Sequence, residues 1–139
     1  MIDKKTVLEI VKKNSLCVLS TASPSGKTES AVMAHTVNDN LTVFMSTEET
    51  SRKIQNIKAN NQASLLIGGL KNDPSLQIDG LATILEGNQK TEAVNFMLSV
   101  HPELKDYGID SGCIFSITPQ WVRYSDYTQN PPTIEEINF

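Results

Sequence analysis

Apolar residues recur at helical spacing near the start of the chain. Val7, Ile10 and Val11 stand at i, i+3 and i+4, Asp3 precedes them as a candidate N-cap, and Asn14 can end the turn. The pattern then shifts to short runs rich in Val, Leu and Thr. Residues 16–22, 28–37 and 41–46 read as three strands. Ser23-Pro24-Ser25-Gly26 and Asn38-Asp39-Asn40 supply the turns between them, so an antiparallel meander is expected. Ile54 and Ile57 predict a helix over about 50–60. Residues 63–67 are apolar on both faces and read as a central strand ended by Gly68 and Gly69. A loop over 71–75, with Asp73-Pro74 as its turn, leads to a long strand over 76–86. Gly80 inside that strand predicts a bulge or a close backbone approach. Residues 88–100 form a helix with Ala93, Met97 and Val100 on one face, stopped by His101-Pro102. Residues 114–118 and 122–124 read as a strand or strand pair broken at Pro119. After Pro131-Pro132, the sequence Thr133-Ile134-Glu135-Glu136 has the form of a capping box and predicts a short helix.

Six or more strands, linked by hairpin turns and interrupted by helices, predict a mainly β (α+β) fold. The expected architecture is a small antiparallel barrel with peripheral helices. The chain has 139 residues and no internal repeat or linker, so a single domain over 1–139 is expected. Twelve Lys and Arg stand against 16 Asp and Glu, a net charge of -4. That balance argues against a general nucleic-acid binder, which needs clustered cations. No apolar run has the roughly 18–20 residues of a membrane span, and the first 13 residues lack a signal peptide's continuous apolar core. A soluble, cytoplasmic protein is expected. Cys17 and Cys113 have no metal-ligand spacing; each lies in an apolar run and reads as a small buried residue, with a disulfide left open.

The candidate chemistry lies in the segment Phe44-Met45-Ser46-Thr47-Glu48-Glu49-Thr50-Ser51-Arg52-Lys53, which joins a strand to a helix. Arg52 and Lys53 fall in the first turn, where a cation opposes the helix dipole by about 0.3–1 kcal/mol. An anion at the helix N-terminus would account for them. Backbone N–H groups, both cations and the hydroxyls of Ser46, Thr47 and Ser51 could converge on a phosphate. An ordinary cap at Thr47 or Thr50, with the cations solvated or offset by Glu48 and Glu49, is the simpler account. His35 and His101 are the only histidines, too few for a triad or a His-rich metal site. His101 reads as a helix-end residue. The carboxylates form no acid–base pair.

Ser46-Thr47, Ser51-Arg52-Lys53, Asn56 and the strand Ala63-Ser64-Leu65-Leu66-Ile67 together resemble the pyridoxamine 5′-phosphate oxidase-like family of FMN-binding split barrels. The Pro24-Ser25-Gly26 turn, the strand over 76–86 and Phe115-Ser116-Ile117-Thr118-Pro119 extend the resemblance to nearly the whole chain. It implies an antiparallel split β-barrel of Greek-key type and a homodimer with FMN at the subunit interface. It also implies a phosphate site at Thr47, Ser51, Arg52 and Lys53. Ser46 stands where the oxidase often has Tyr, and Gln77 matches a glutamine at the start of the following strand. His35 and Ser30 fall near the Lys and Arg that grip the cofactor on the oxidase's second strand; the Arg is absent. Trp121 lies on the last strand and could reach across a dimer toward the flavin ring. The oxidase's C-terminal Arg-x-His motif is missing, since Tyr124-Ser125-Asp126-Tyr127-Thr128-Gln129-Asn130 holds neither residue. The resemblance is therefore to the shorter, stress-protein-like members, not to a vitamin B6 oxidase.

Two functions follow from it. One is an oxidoreductase whose interface FMN moves electrons from a reduced donor to an acceptor. The other is a non-catalytic flavin or haem binder for storage, sensing or stress protection. A fold that has lost its ligand is a third reading. Pro131-Pro132 and the Ile134/Ile137 pair offer an apolar stripe for a partner surface or for the protein's own barrel.

Overall fold

A single residue, His35, separates strand β2 (Thr28–Ala34) from strand β3 (Thr36–Val37), yet the two lie at opposite ends of one sheet. The strand order is β2-β1-β5-β6-β7-β4-β3. One residue advances the chain by less than about 4 Å, so the sheet must curl until its two edges meet. This is the antiparallel split barrel expected from the sequence. The computed structural model describes residues 1–70 and 72–139; Lys71, the start of the expected loop, lies outside them.

The remaining strands are β1 (Leu16–Ala22), β4 (Val43–Thr47), β5 (Gln62–Gly68), β6 (Ser75–Ile84), β7 (Cys113–Asp126) and β8 (Thr133–Asn138). Helix α1 (Lys4–Lys13) precedes β1, α2 (Arg52–Ala59) joins β4 to β5, and α3 (Gly87–Val100), followed by two 3₁₀ turns, joins β6 to β7. Asp3 caps α1 by accepting from the Thr6 N–H at 2.8 Å. Asn14 closes it by donating both its backbone N–H and its side-chain amide to the Ile10 carbonyl. Alternation along the strands fills the interior. Leu19, Val43, Met45, Leu65, Ile67, Leu76, Ile78, Phe115, Ile117 and Val122 are all fully or almost fully buried there. Each such aliphatic side chain contributes about 1.5–3 kcal/mol by leaving water. A second cluster lies outside the barrel, where Ala93, Val94 and Met97 of α3 pack on Ile109 and Ile114. Val94 takes the place expected for Val100, which is exposed.

Four expectations are corrected. The first three strands are no meander: β1 pairs with β2, but β4 pairs with the two-residue β3 and with β7. The strand expected over 28–37 breaks at His35, where the chain passes from one sheet edge to the other. Pro119 does not break the last strand. It sits at a bulge, where Asp79 opposes Trp121 and Gly80 opposes Pro119, leaving Gln120 as the extra residue. The bulge also reverses the alternation, from Phe115 and Ile117 inward to Val122 inward. Lastly, Thr133-Ile134-Glu135-Glu136 is no helix but the start of β8, paired antiparallel with the second half of β7.

Both cysteines are free; Cys17 is buried and Cys113 half-buried. Burial pushes the Cys17 thiol up to about 12. Among the described residues, no helix is long and apolar enough to cross a membrane.

Candidate functional site

Strand β4 delivers Ser46 and Thr47 to the loop before α2, and its pairing with β7 fixes both through Ser46↔Ile114 and Thr47↔Cys113. Ser51 then takes the N-cap position of α2 in an extended conformation, with no side-chain cap hydrogen bond. Neither Thr47 nor Thr50 caps the helix. The Ser51 Oγ is buried and has no partner. Arg52 and Lys53 follow in the first turn, which holds no acidic residue. Glu49 turns to Lys58, at 4.0 Å, and not to the two cations. This helix start therefore has two cations opposing its dipole and a hydroxyl without a partner. An anion would satisfy both, and a phosphate fits these donors.

The first turn of α2 is also tied to the barrel by a residue the sequence reading passed over. Glu29 on β2 accepts from Arg52 Nη1 at 3.0 Å through one oxygen and from Asn56 Nδ2 at 3.2 Å through the other. Asn56, buried one turn further along α2, also donates to Thr21 Oγ1 at 3.0 Å. The hydrogen bonds from Arg52 and then Asn56 hold the Glu29 carboxyl below its ordinary range. The signal was present in the strand alternation. Glu29 shares a face with Ala31 and the buried Met33, so its carboxylate needed a partner near the barrel end.

The other expected residues fall into two groups. His35 is buried at the seam between the sheet edges, and its Nε2–H donates to the Val11 carbonyl at 3.1 Å. Its Nδ1 is buried without a partner. Burial lowers the imidazole pKa, and the facing carbonyls of Val11 and Asn14 oppose that shift. His35 lines a cavity of about 550 Å³ with Lys12, Lys13, Phe96 and His101. It shares a second one of about 260 Å³ with Ser46, Met97, His101 and Leu104. The fold thus brings Ser46 and His35 to one hollow beneath α3.

Gln77 and Trp121 lie elsewhere. They stand on adjacent strands on the outer face of the sheet, opposite Arg123 and Asp79 respectively. Trp121 Nε1 donates to Glu136 Oε2 at 3.4 Å, and Arg123 Nε is buried with no partner. Trp121 is eight residues along β7 from Cys113, the partner of Thr47. That is about 26 Å along the strand at roughly 3.3 Å per residue. The strand pairings of Gln77 and Trp121 and the Trp121–Glu136 bond tie them to β6, β7 and β8. Around them runs an open apolar patch: Val32, Val18 and Leu66 are neighbours across β2, β1 and β5, and Leu16 lies beside them. Val32 is 67% exposed and Leu66 45%. No group of three or more His, Cys, Asp or Glu among the described residues could hold a metal ion.

The family model for pyridoxamine 5′-phosphate oxidase matches residues 3–126. The chain belongs to that family. No curated protein sequence matches it. Among solved structures, a heme binding protein from Mycobacterium smegmatis is 15% identical with a TM-score of 0.81. The alignment covers 99% of this chain but only 60% of that one. A pyridoxamine 5′-phosphate oxidase-related, FMN binding protein from Nostoc punctiforme is 12% identical with a TM-score of 0.75, over 97% of this chain and 95% of its own. General Stress Protein 26 from Bacillus anthracis is 24% identical with a TM-score of 0.69, over 96% and 98%. At these identities the likeness is one of fold.

Proposed function

We propose that this protein binds FMN, with the phosphate at the N-terminus of α2. Arg52, Lys53, the Ser51 hydroxyl and the Thr47 hydroxyl hold it. The observation that carries the reading is the buried Ser51 Oγ, without a partner beside two first-turn cations. Bound there, the flavin supplies redox chemistry, taking electrons from a reduced donor and passing them to an acceptor. The protein's part is to bind and orient. Ser46 and His35 border the hollow beside the phosphate loop, and no nucleophile is required of the chain.

The cofactor site is completed by a second copy. Gln77 and Trp121, the two other expected contacts, stand on the outer face of the sheet, opposite Arg123 and Asp79, and Trp121 bonds Glu136. A partner docked on the open apolar face around Val32 and Leu66 would bring its own Gln77 and Trp121 to this loop. Exposure of that apolar face, with the buried Arg123 Nε unpartnered beside it, supports a homodimer over a monomer.

Non-catalytic binding of flavin or haem is the second reading. It is favoured by Ser30, which stands where the oxidase has its cofactor-gripping Arg, and by the fold likeness to a heme binding protein. For haem, His35 has Nε2 engaged by the Val11 carbonyl and Nδ1 buried without a partner, so an iron would have to take Nδ1.

The test is a visible spectrum of the purified protein after incubation with FMN and gel filtration. The parent should retain a flavin spectrum, and Arg52→Ala/Lys53→Ala should lose it. A parent that retains none would sink the flavin reading. Reduction of the bound flavin by a nicotinamide donor, with turnover, separates the enzyme from the binder.

A further inference from the structure

We infer that Glu29 is an internal competitor for the phosphate site, a carboxylate that holds Arg52 until an incoming phosphate displaces it; this rests on the flavin-phosphate reading above. Arg52 is the first residue of α2, yet its guanidinium turns across to β2 and bonds Glu29 at 3.0 Å. The second carboxylate oxygen is held by Asn56, so the anion is anchored from two points of the helix. Lys53, the next residue, makes no ion pair among the described residues. The two cations of this helix start are therefore unequal: one is already paired and the other is available.

The pair can be exchanged. The Arg52 side chain is 77% exposed, and an ion pair in that setting is weak. A phosphate at the helix N-terminus would gain the backbone N–H groups, Lys53 and Ser51, none of which Glu29 engages. Glu29 would remain beside it, fixed by Asn56, as a like charge. Its charge lowers affinity for any anion at this helix start, and a dianion feels it more than a monoanion. Glu29 thus sets how tightly a phosphorylated ligand is held over the same ligand without phosphate. The Asn56–Thr21 bond keeps α2 on the barrel when the pair opens.

The test is the affinity of Glu29→Gln for FMN and for riboflavin, measured by flavin fluorescence at low and high salt. Glutamine keeps the size and one acceptor of the side chain and removes its charge. FMN should bind about three- to tenfold more tightly than to the parent, with riboflavin unchanged and the gain shrinking in high salt. In an Arg52→Ala background the same change should have a smaller effect, because there is no pair to break. Equal or weaker FMN binding by Glu29→Gln, with the parent binding normally, would overturn the inference and leave the flavin site standing; Glu29 would then orient Arg52. A gain shared equally by riboflavin would overturn it too, as a change in the pocket and not in the phosphate. If neither protein binds FMN, the flavin reading itself fails and this inference with it.

Discussion

His35 Nε2 lies 3.1 Å from the carbonyl oxygen of Val11, so the residue that joins the two sheet edges also fastens the end of α1 to that seam. The carbonyl can only accept, which fixes the neutral tautomer with its proton on Nε2. Burial lowers the imidazole pKa from its ordinary 6.5. Below about 6.5 the unfolded chain takes up a proton that the folded chain refuses. The unfolded state then binds more protons, and stability falls as pH falls through the window beneath 6.5. His101 borders the same cavity and opposes a positive charge on His35, while Lys12 and Asp39, which also line it, are paired with each other at 2.9 Å; Lys13 is the other cation on its wall. The melting temperature should therefore drop between neutral pH and mildly acidic pH. His35→Gln, which keeps a donor for Val11 and cannot titrate, should flatten that slope. An equal slope in parent and variant would remove His35 as its source.

Gly80 and Gly26 make a matched pair of tests. A Cβ on Gly80 would meet the Thr118 carbonyl oxygen at 2.6 Å and Ile117 Cγ2 at 2.8 Å, within the bulge that turns β7. Gly80→Ala should cost about 1–3 kcal/mol in urea unfolding, because backbone and a buried side chain must move. Gly26 has φ +87 and nothing within 4 Å of its added Cβ. Gly26→Ala should cost about 1 kcal/mol, from backbone conformation alone. A Gly80→Ala protein as stable as the parent would show that β6 and β7 do not approach so closely.

The C-terminal strand shows where local signals mislead. Thr133 and Glu136 have the spacing of a capping box, but the segment follows Pro131-Pro132 and meets an open edge of β7. Pairing along Trp121–Asp126 satisfies its backbone groups, and Ile137 packs against the core while Ile134 stays exposed. Burial and a waiting strand edge decide the conformation over local preference. Hydrogen exchange checks this. Amides of Thr133–Asn138 that face β7 should be protected and the alternate ones not, whereas a helix would give no such alternation.

Signals that depend on neighbouring residues were read well. These include the Asp3 cap, the Asn38–Asn40 turn, the bulge at Gly80 and the place of Arg52 and Lys53 in the first turn of α2, though its cap is Ser51 and not Thr47 or Thr50. What escaped depends on residues distant in sequence. Glu29 meets Arg52 across 23 positions, and β4 finds β7 instead of β2 because the sheet closes on itself. The Ser51-Arg52-Lys53 motif was visible as three letters. Its pairing with β2 was not, since neither α2 nor β2 indicates alone which end of the barrel the other will occupy.

The outer face carries the last prediction. Val32, Val18 and Leu66 form a continuous row on β2, β1 and β5, extended by Gln77 on β6 and Arg123 on β7. Leu66 contributes nothing to the barrel interior, so Leu66→Asp should leave a lone subunit folded, with a change of about 0.5 kcal/mol or less. Buried between two copies, the same aspartate would face its counterpart's apolar row without a partner. Sedimentation should show the parent as a dimer and Leu66→Asp shifted toward monomer at equal concentration. If the proposed interface site holds, FMN retention should fall as the dimer is lost, because Gln77 and Trp121 of the second copy would leave the flavin even though Arg52 and Lys53 are intact. A monomeric Leu66→Asp protein that holds FMN as tightly as the parent would confine the cofactor site to one chain. A parent that is itself monomeric and binds FMN would do the same, and would leave the open face needing another explanation.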